Sequence, residues 1–154
     1  MRLELGRATG AKPPFKYSAL TRVGFSDTDA QGIVYYGRYL PYMDLARVEY
    51  HRKLGLLGIE VGEPGVEFVM RAIGVEYHAP AVFDDELEVF VRLARIGRTS
   101  ATYEFAAYRA HDDLLMVEAT QTMVLVDLEQ RQACEIPEDF RAVIRAFEGD
   151  DLSE

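Results

Sequence analysis

The chain has 154 residues, the length of one ordinary domain able to bury its own core. Apolar residues make up 49% and charged residues 28%, the balance of a soluble fold rather than a membrane or disordered one. Seventeen Lys and Arg against 26 Asp and Glu give a formal charge of −9, which disfavours nucleic acid and anionic membranes as partners. A lone cysteine, Cys134, cannot form an internal disulfide, so a reducing cytoplasm is the expected location. The first residues hold no apolar run resembling a signal peptide, and no stretch of about 18 apolar residues could span a membrane. No Cys or His cluster has structural zinc spacing, so no metal is expected.

Residues 1–14 read as a loose leader closed by Pro13-Pro14, and 15–25 as a strand. A polar turn from Ser26 to Gly32 leads to one long helix predicted over 36–54. Its apolar positions Tyr39, Met43, Ala46, Tyr50 and Leu54 recur every three or four residues, and Gly55 is placed to cap it. Pro41 is compatible with this helix only in its first turns. Four strands follow, over 66–78, 86–96, 100–110 and 114–127, joined at Ala79-Pro80, Gly97-Arg98 and His111-Asp112-Asp113. In 86–96, Leu87, Val89, Val91 and Leu93 alternate with Glu86, Glu88, Phe90 and Arg92, predicting one buried face. A short helix over 137–147 precedes an acidic tail, 148–154, whose four acids and no base predict disorder. One domain over 15–147 results. A single long helix cannot cover both faces of five strands, so a second subunit is expected to bury the remainder.

The chemistry-bearing stretch runs from Phe25 to Tyr50. Asp27 and Asp29 lie between a strand and the long helix, and Gly32 follows Asp29 by three residues. Such a turn can hold a carboxylate beside the free N–H groups of a helix start, a pair suited to acyl transfer. Spacing alone equally fits two helix-capping aspartates and a Tyr-rich helix that is simply core.

The residues Asp27-Thr28-Asp29-Ala30, Gly32, Val34-Tyr35, Tyr39 and Ala46-Arg47-Val48-Glu49 resemble the signature of the hotdog-fold acyl-CoA thioesterases. These form the 4-hydroxybenzoyl-CoA thioesterase-like family, and the match is to its bacterial, Asp-dependent YbgC-type branch. The resemblance covers about residues 16–145. It implies an α+β hotdog fold, a long helix wrapped by a five-stranded antiparallel sheet. It also implies that Asp29 is the catalytic carboxylate, as nucleophile through a mixed anhydride or as general base on water. The backbone N–H of Tyr36 would polarise the thioester carbonyl, and Gly32 would let backbone and substrate approach closely. Many relatives have His where this chain has Tyr36, so any acid–base role of that His is not carried over.

The resemblance further places an acid at Asp44 that could meet a substrate hydroxyl, beside a competing ion pair with Arg47 or Arg38. Arg98, Thr99 and Ser100 are candidates for the CoA phosphates, with Arg95 a weaker one. Glu49, Cys134, His51, His78 and His111 read as structural or surface residues. No cofactor is implied, since CoA is part of the substrate and a thiolate leaves without strong protonation. Relatives of this kind form dimers or dimers of dimers, with the site at the dimer interface. A hotdog dehydratase or hydratase is disfavoured because no His lies within the motif, and a non-catalytic acyl-binding protein because Asp29 and Gly32 are both present.

The net charge divides unevenly. Without the four acids of 148–154 the body carries 22 acids against 17 bases, and 14 of those bases are Arg. Arg92, Arg95 and Arg98 are close in sequence near one hairpin, and screening over about 8–10 Å makes such a local patch decisive for a phosphate.

Overall fold

A computed structural model describes residues 3–57 and 65–154. The elements are β1 (Gly6–Ala8), β2 (Tyr17–Arg22), α1 (Tyr39–Lys53), β3 (Val66–Tyr77), β4 (Glu86–Ile96), β5 (Ser100–Arg109), β6 (Leu114–Asp127), β7 (Gln132–Ala133) and α2 (Glu138–Glu148). One antiparallel sheet runs β1-β2-β4-β5-β6-β3, with β7 added to the end of β6. Its five long strands and α1 form the hotdog arrangement anticipated above.

The helix begins at Tyr39, three residues later than its periodicity suggests, because Tyr36–Arg38 tightens into a 3-10 turn. Pro41 thus falls in the first turn, where its missing N–H has no intrahelical acceptor to lose. The helix buries Tyr39, Tyr42, Met43, Ala46, Glu49 and Tyr50, one face at spacings of three and four. It closes on Gly55, whose φ of 73° allows two backbone bonds, Gly55 N–H to Arg52 O and Leu56 N–H to His51 O.

The inner face of β4 supplies Leu87, Val89, Val91 and Leu93, all buried under α1. A bulge at Ala94 then resets the alternation so that Ile96 also points inward. Phe90 departs from the one-faced pattern. It lies on the outer face yet is buried, because Phe15 and Tyr108 pack over it with ring centroids 6.0 and 5.5 Å away.

Both chain ends are more ordered than their composition suggests. In the leader, β1 pairs with β2, and Leu20 N–H donates to Leu5 O. In the tail, Glu148 is buried and Gly149–Asp151 forms a 3-10 turn. Ser153 then lies parallel to Arg95, exchanging backbone bonds with Ala94 and Ile96 at 2.9 Å each. The pairing of β2 with β4 stops at Val91, which leaves this edge of β4 open to the tail. The bases absent from the tail come from elsewhere: Lys16 meets Asp151 at 2.6 Å, and Arg145 meets Glu154 at 2.8 Å. Among the described residues no helix is long and apolar enough to cross a membrane.

Candidate active site

The path from β2 to α1 is organised by Asp27. Its Oδ2 accepts from Gly24 N–H (2.9 Å) and the Tyr42 hydroxyl (2.7 Å), and its Oδ1 accepts from Arg38 Nε and Nη2 (3.1 and 3.0 Å). The backbone carbonyl of Asp27 accepts from Tyr35 N–H at 2.9 Å. Burial would raise this carboxyl's pKa, but the bonds from Tyr42, Gly24 and Arg38 outweigh it and hold the group below the usual carboxylate range. Burial and the bond to Asp27 push the Tyr42 phenol up in turn.

Asp29 opens a tight hairpin. Thr28 bridges Val34, Asp29 N–H donates to Ile33 O, and Gly32 N–H donates to Asp29 O. Gly32 has a φ of 80°, the left-handed residue that lets a three-residue loop follow the strand twist. A Cβ at Gly32 would meet nothing within 4 Å, so within this chain glycine is required for conformation rather than for close packing. The Asp29 side chain is half-buried, and its Oδ1 accepts from Gln31 N–H at 2.8 Å. Neither aspartate therefore caps the long helix: Asp29 stabilises its own turn, and Asp27 ties that turn to α1.

Tyr36 follows directly. Its N–H is the first of the 3-10 turn, so no carbonyl within that turn accepts from it, and no other partner is found among the described residues. Its carbonyl accepts from the Tyr77 hydroxyl of β3 at 2.9 Å. Its ring is exposed and lies against that of Tyr35, centroids 4.3 Å apart and planes tilted by 42°. The Tyr35 phenol is held above its ordinary pKa chiefly by the Tyr36 side chain, with a smaller contribution from the Asp29 charge. Phe25, Tyr77, Val82 and Phe83 complete an exposed apolar rim, with Phe25 and Phe83 edge-to-face at 5.9 Å.

The remaining predicted site residues lie elsewhere. Asp44 is exposed on α1 and pairs with Arg47 at 3.1 Å, whose guanidinium also donates to the buried Gln121 at 2.6 Å. Arg98, Thr99 and Ser100 form the β4–β5 hairpin. Their backbone is well used: Arg98 O accepts from Ile136 N–H, and Thr99 O from Leu125 N–H. Arg141 donates to Gly97 O and Arg98 O. The Arg98 side chain is exposed, as is Arg95, but Arg92 is committed to Glu104 at 2.8 Å. The three arginines thus do not form one free patch.

The structure also separates the two halves of the predicted site. The Asp29 hairpin abuts Val82 and the segment entering β4, while Arg98 follows the end of that strand. Eleven residues of strand at about 3.3 Å each put roughly 35 Å between them within one chain. Asp27 belongs to the motif but reads there as a carboxylate or a cap, and its partners Arg38 and Tyr42, with Tyr77 on β3, lie outside the motif reading. Arg38 and Tyr42, four apart on one helix face, are the signal that could have found them.

Several known proteins with this sequence pattern or this fold are named as thioesterases. The family model for the thioesterase-like superfamily matches residues 23–144. The acyl-CoA thioesterase YbgC of Haemophilus influenzae is 31% identical over 127 residues, covering 82% of this chain and 92% of that protein. The acyl-CoA thioester hydrolase YbgC of Escherichia coli O6:H1 is 36% identical over 106 residues, 69% of this chain and 78% of that protein. Among solved structures, the 1,4-dihydroxy-2-naphthoyl-CoA thioesterase Slr0204 from Synechocystis superposes with a TM-score of 0.76. It is 20% identical and covers 82% of this chain and 93% of its own, a likeness of fold. The match across most of the chain, on the fold described, means that this protein belongs to the thioesterase-like superfamily of hotdog-fold enzymes.

Proposed function

We propose that this protein hydrolyses acyl-CoA thioesters to a free acid and CoA. The observation that carries the reading is the arrangement of Asp29 and Tyr36. A half-buried carboxylate and a helix-start N–H with no partner among the described residues lie on adjoining backbone tied together by Asp27. Asp29 delivers oxygen to the thioester carbonyl, directly or by activating water, and the Tyr36 N–H stabilises the tetrahedral oxyanion. The C–S bond then breaks and CoA leaves as a thiolate. On the direct route water next hydrolyses the mixed anhydride on Asp29, releasing the acid and restoring the carboxylate, and these steps use neither metal nor organic cofactor. The exposed rim of Phe25, Tyr35, Tyr36, Tyr77 and Phe83 offers contact to a bulky or aromatic acyl group. Thiol release measured across aliphatic and aromatic acyl-CoAs should show turnover with preference for the aromatic members. Binding across the panel without any release would overturn the hydrolase reading.

The working unit is a homodimer, or a tetramer made of two such dimers. Strand β3 is a sheet edge twelve residues long, with Val69, Met70, Ile73 and Tyr77 between 37% and 49% exposed. So long an apolar edge is a pairing surface unless it is covered. Its Tyr77 end adjoins Tyr36, and its Val66 end pairs with β6 near the Arg98 hairpin. Antiparallel pairing of two β3 edges about a two-fold axis therefore turns one chain's Arg98 end toward the other's Asp29 end. That geometry supports a CoA phosphate grip supplied across the interface by Arg98, Thr99 and Ser100. Sedimentation should find no stable monomer at micromolar concentration, and a monomer that still turns over acyl-CoA would refute the shared site.

A further inference from the structure

Glu76 of β3 and Glu118 of β6 stand directly opposite one another in the sheet, on its outer face. Like charges in that position repel. The next residue across, Ala106 of β5, brings no countercharge. Neighbouring outer-face acids are neutralised by strong bases, Glu88 by Arg7 and Glu104 by Arg92. Among the described residues, no Lys or Arg pairs with Glu76 or Glu118, and only His78 reaches them.

His78 follows Glu76 by two residues and so shares its face. Its Nε2 lies 2.9 Å from a Glu118 oxygen and 3.9 Å from a Glu76 oxygen, and all three ligand atoms fall within 4.8 Å of one another. Ligand atoms bound tetrahedrally to one ion at about 2.1 Å lie roughly 3.4 Å apart, so small side-chain rotations bring these three to a common centre. The backbone beneath is fixed, because His78 N–H and Ala79 N–H both donate to Met116 O.

We propose that Glu76, His78 and Glu118 form a binding site for a divalent transition-metal cation, one imidazole and two carboxylates with the remaining positions open to water. This donor set suits Zn²⁺ and its first-row neighbours rather than Ca²⁺ or Mg²⁺, which take oxygen ligands. The site fastens edge strand β3 to β6 and takes no part in thioester cleavage. Linear spacing conceals it, since one of the three ligands comes from a strand about forty residues away and is brought in only by pairing.

The test is titration of the metal-stripped, full-length chain with ZnCl₂ by calorimetry, beside the Glu118→Gln and His78→Gln variants. One equivalent per chain with a rise in Tm is expected for the unmodified protein, and at least about a tenfold loss of affinity in each variant. Both substitutions lie on the exposed face, so folding is checked by far-ultraviolet circular dichroism, and Glu76→Gln provides a third independent readout. Absence of saturable binding, or equal binding by the unmodified chain and all three variants, would overturn the site.

Discussion

Asp29→Asn should lower kcat/KM for acyl-CoA hydrolysis by about 10²–10⁴-fold, with the loss in kcat rather than KM. The amide cannot add to a carbonyl or accept a proton from water, so both routes open to the carboxylate are closed. The substitution is otherwise mild. An Asn oxygen still accepts from Gln31 N–H, so the hairpin keeps its turn and Tm should move little. Asp29→Ala separates the two roles, since it also discards that bond, a cost of about 1 kcal/mol in stability. Unchanged kcat/KM in the Asn variant, with the fold intact, would remove Asp29 from the chemistry.

The second large effect concerns stability against pH and centres on His51. Its ring is enclosed by Tyr50, Tyr103 and Phe140, with centroids 6.0, 5.8 and 6.3 Å away, and its Nε2 lies 2.6 Å from the Tyr103 hydroxyl. Burial, and then the nearby Arg47 charge, push the imidazole down to about 4 from 6.5. The ring is therefore neutral in the folded chain above about pH 4 and shares one hydrogen bond with the Tyr103 hydroxyl through Nε2. Because the folded pKa lies below the unfolded one, the unfolded chain takes up the extra proton first as pH falls. Stability is full above about pH 6.5, declines through the window down to about pH 4, and is then fully lost for this group. The ceiling is about 3 kcal/mol at 1.36 kcal/mol per pKa unit. Urea unfolding at about pH 7 and about pH 4.5 should show the parent losing roughly 2 kcal/mol more than His51→Gln. Comparing the pair cancels other groups, notably the buried Glu148. Burial raises the pKa of that carboxyl, so its contribution runs the opposite way. Equal losses in parent and variant would show that His51 takes up its proton as readily folded as unfolded.

How much of this was legible in the chain depends on the range of the interaction. The inward face of α1 follows from spacing, because helix burial obeys a local period. The strands over 86–96 and 114–127 were bounded by their own alternation and turn residues, and their limits match β4 and β6. The order of the tail is not legible in its composition because its stabilising partners, Lys16, Ala94, Arg141 and Arg145, lie outside that segment. Phe90 was assigned to an open face because nothing local announces that Phe15 returns to cover it.

The candidate site divides the same way. The turn holding Asp29 is written in Asp29, Gln31 and Gly32 themselves. That Arg98 stands at the far end of β4 follows from strand direction and length, properties of the sheet rather than of the motif. Asp27 was weighed as a helix cap, yet it serves as the anchor between loop and helix. Its partners Arg38 and Tyr42 lie eleven and fifteen residues on.

That anchor has a consequence for how selectivity could change. The bonds converging on Asp27 come from the Gly24 and Tyr35 backbone and from the side chains of Arg38 and Tyr42. The rings of Phe25, Tyr35 and Tyr36 contribute nothing to them, and they face outward. The loop is a frame whose fasteners and whose exposed aromatic surface are different atoms. Its aromatic rim can be exchanged for smaller or more polar side chains without loosening the segment that holds Asp29 and the Tyr36 N–H. Under the proposed function, exchanging the rim should therefore change the choice of acyl group while leaving the fasteners of the Asp29 loop in place.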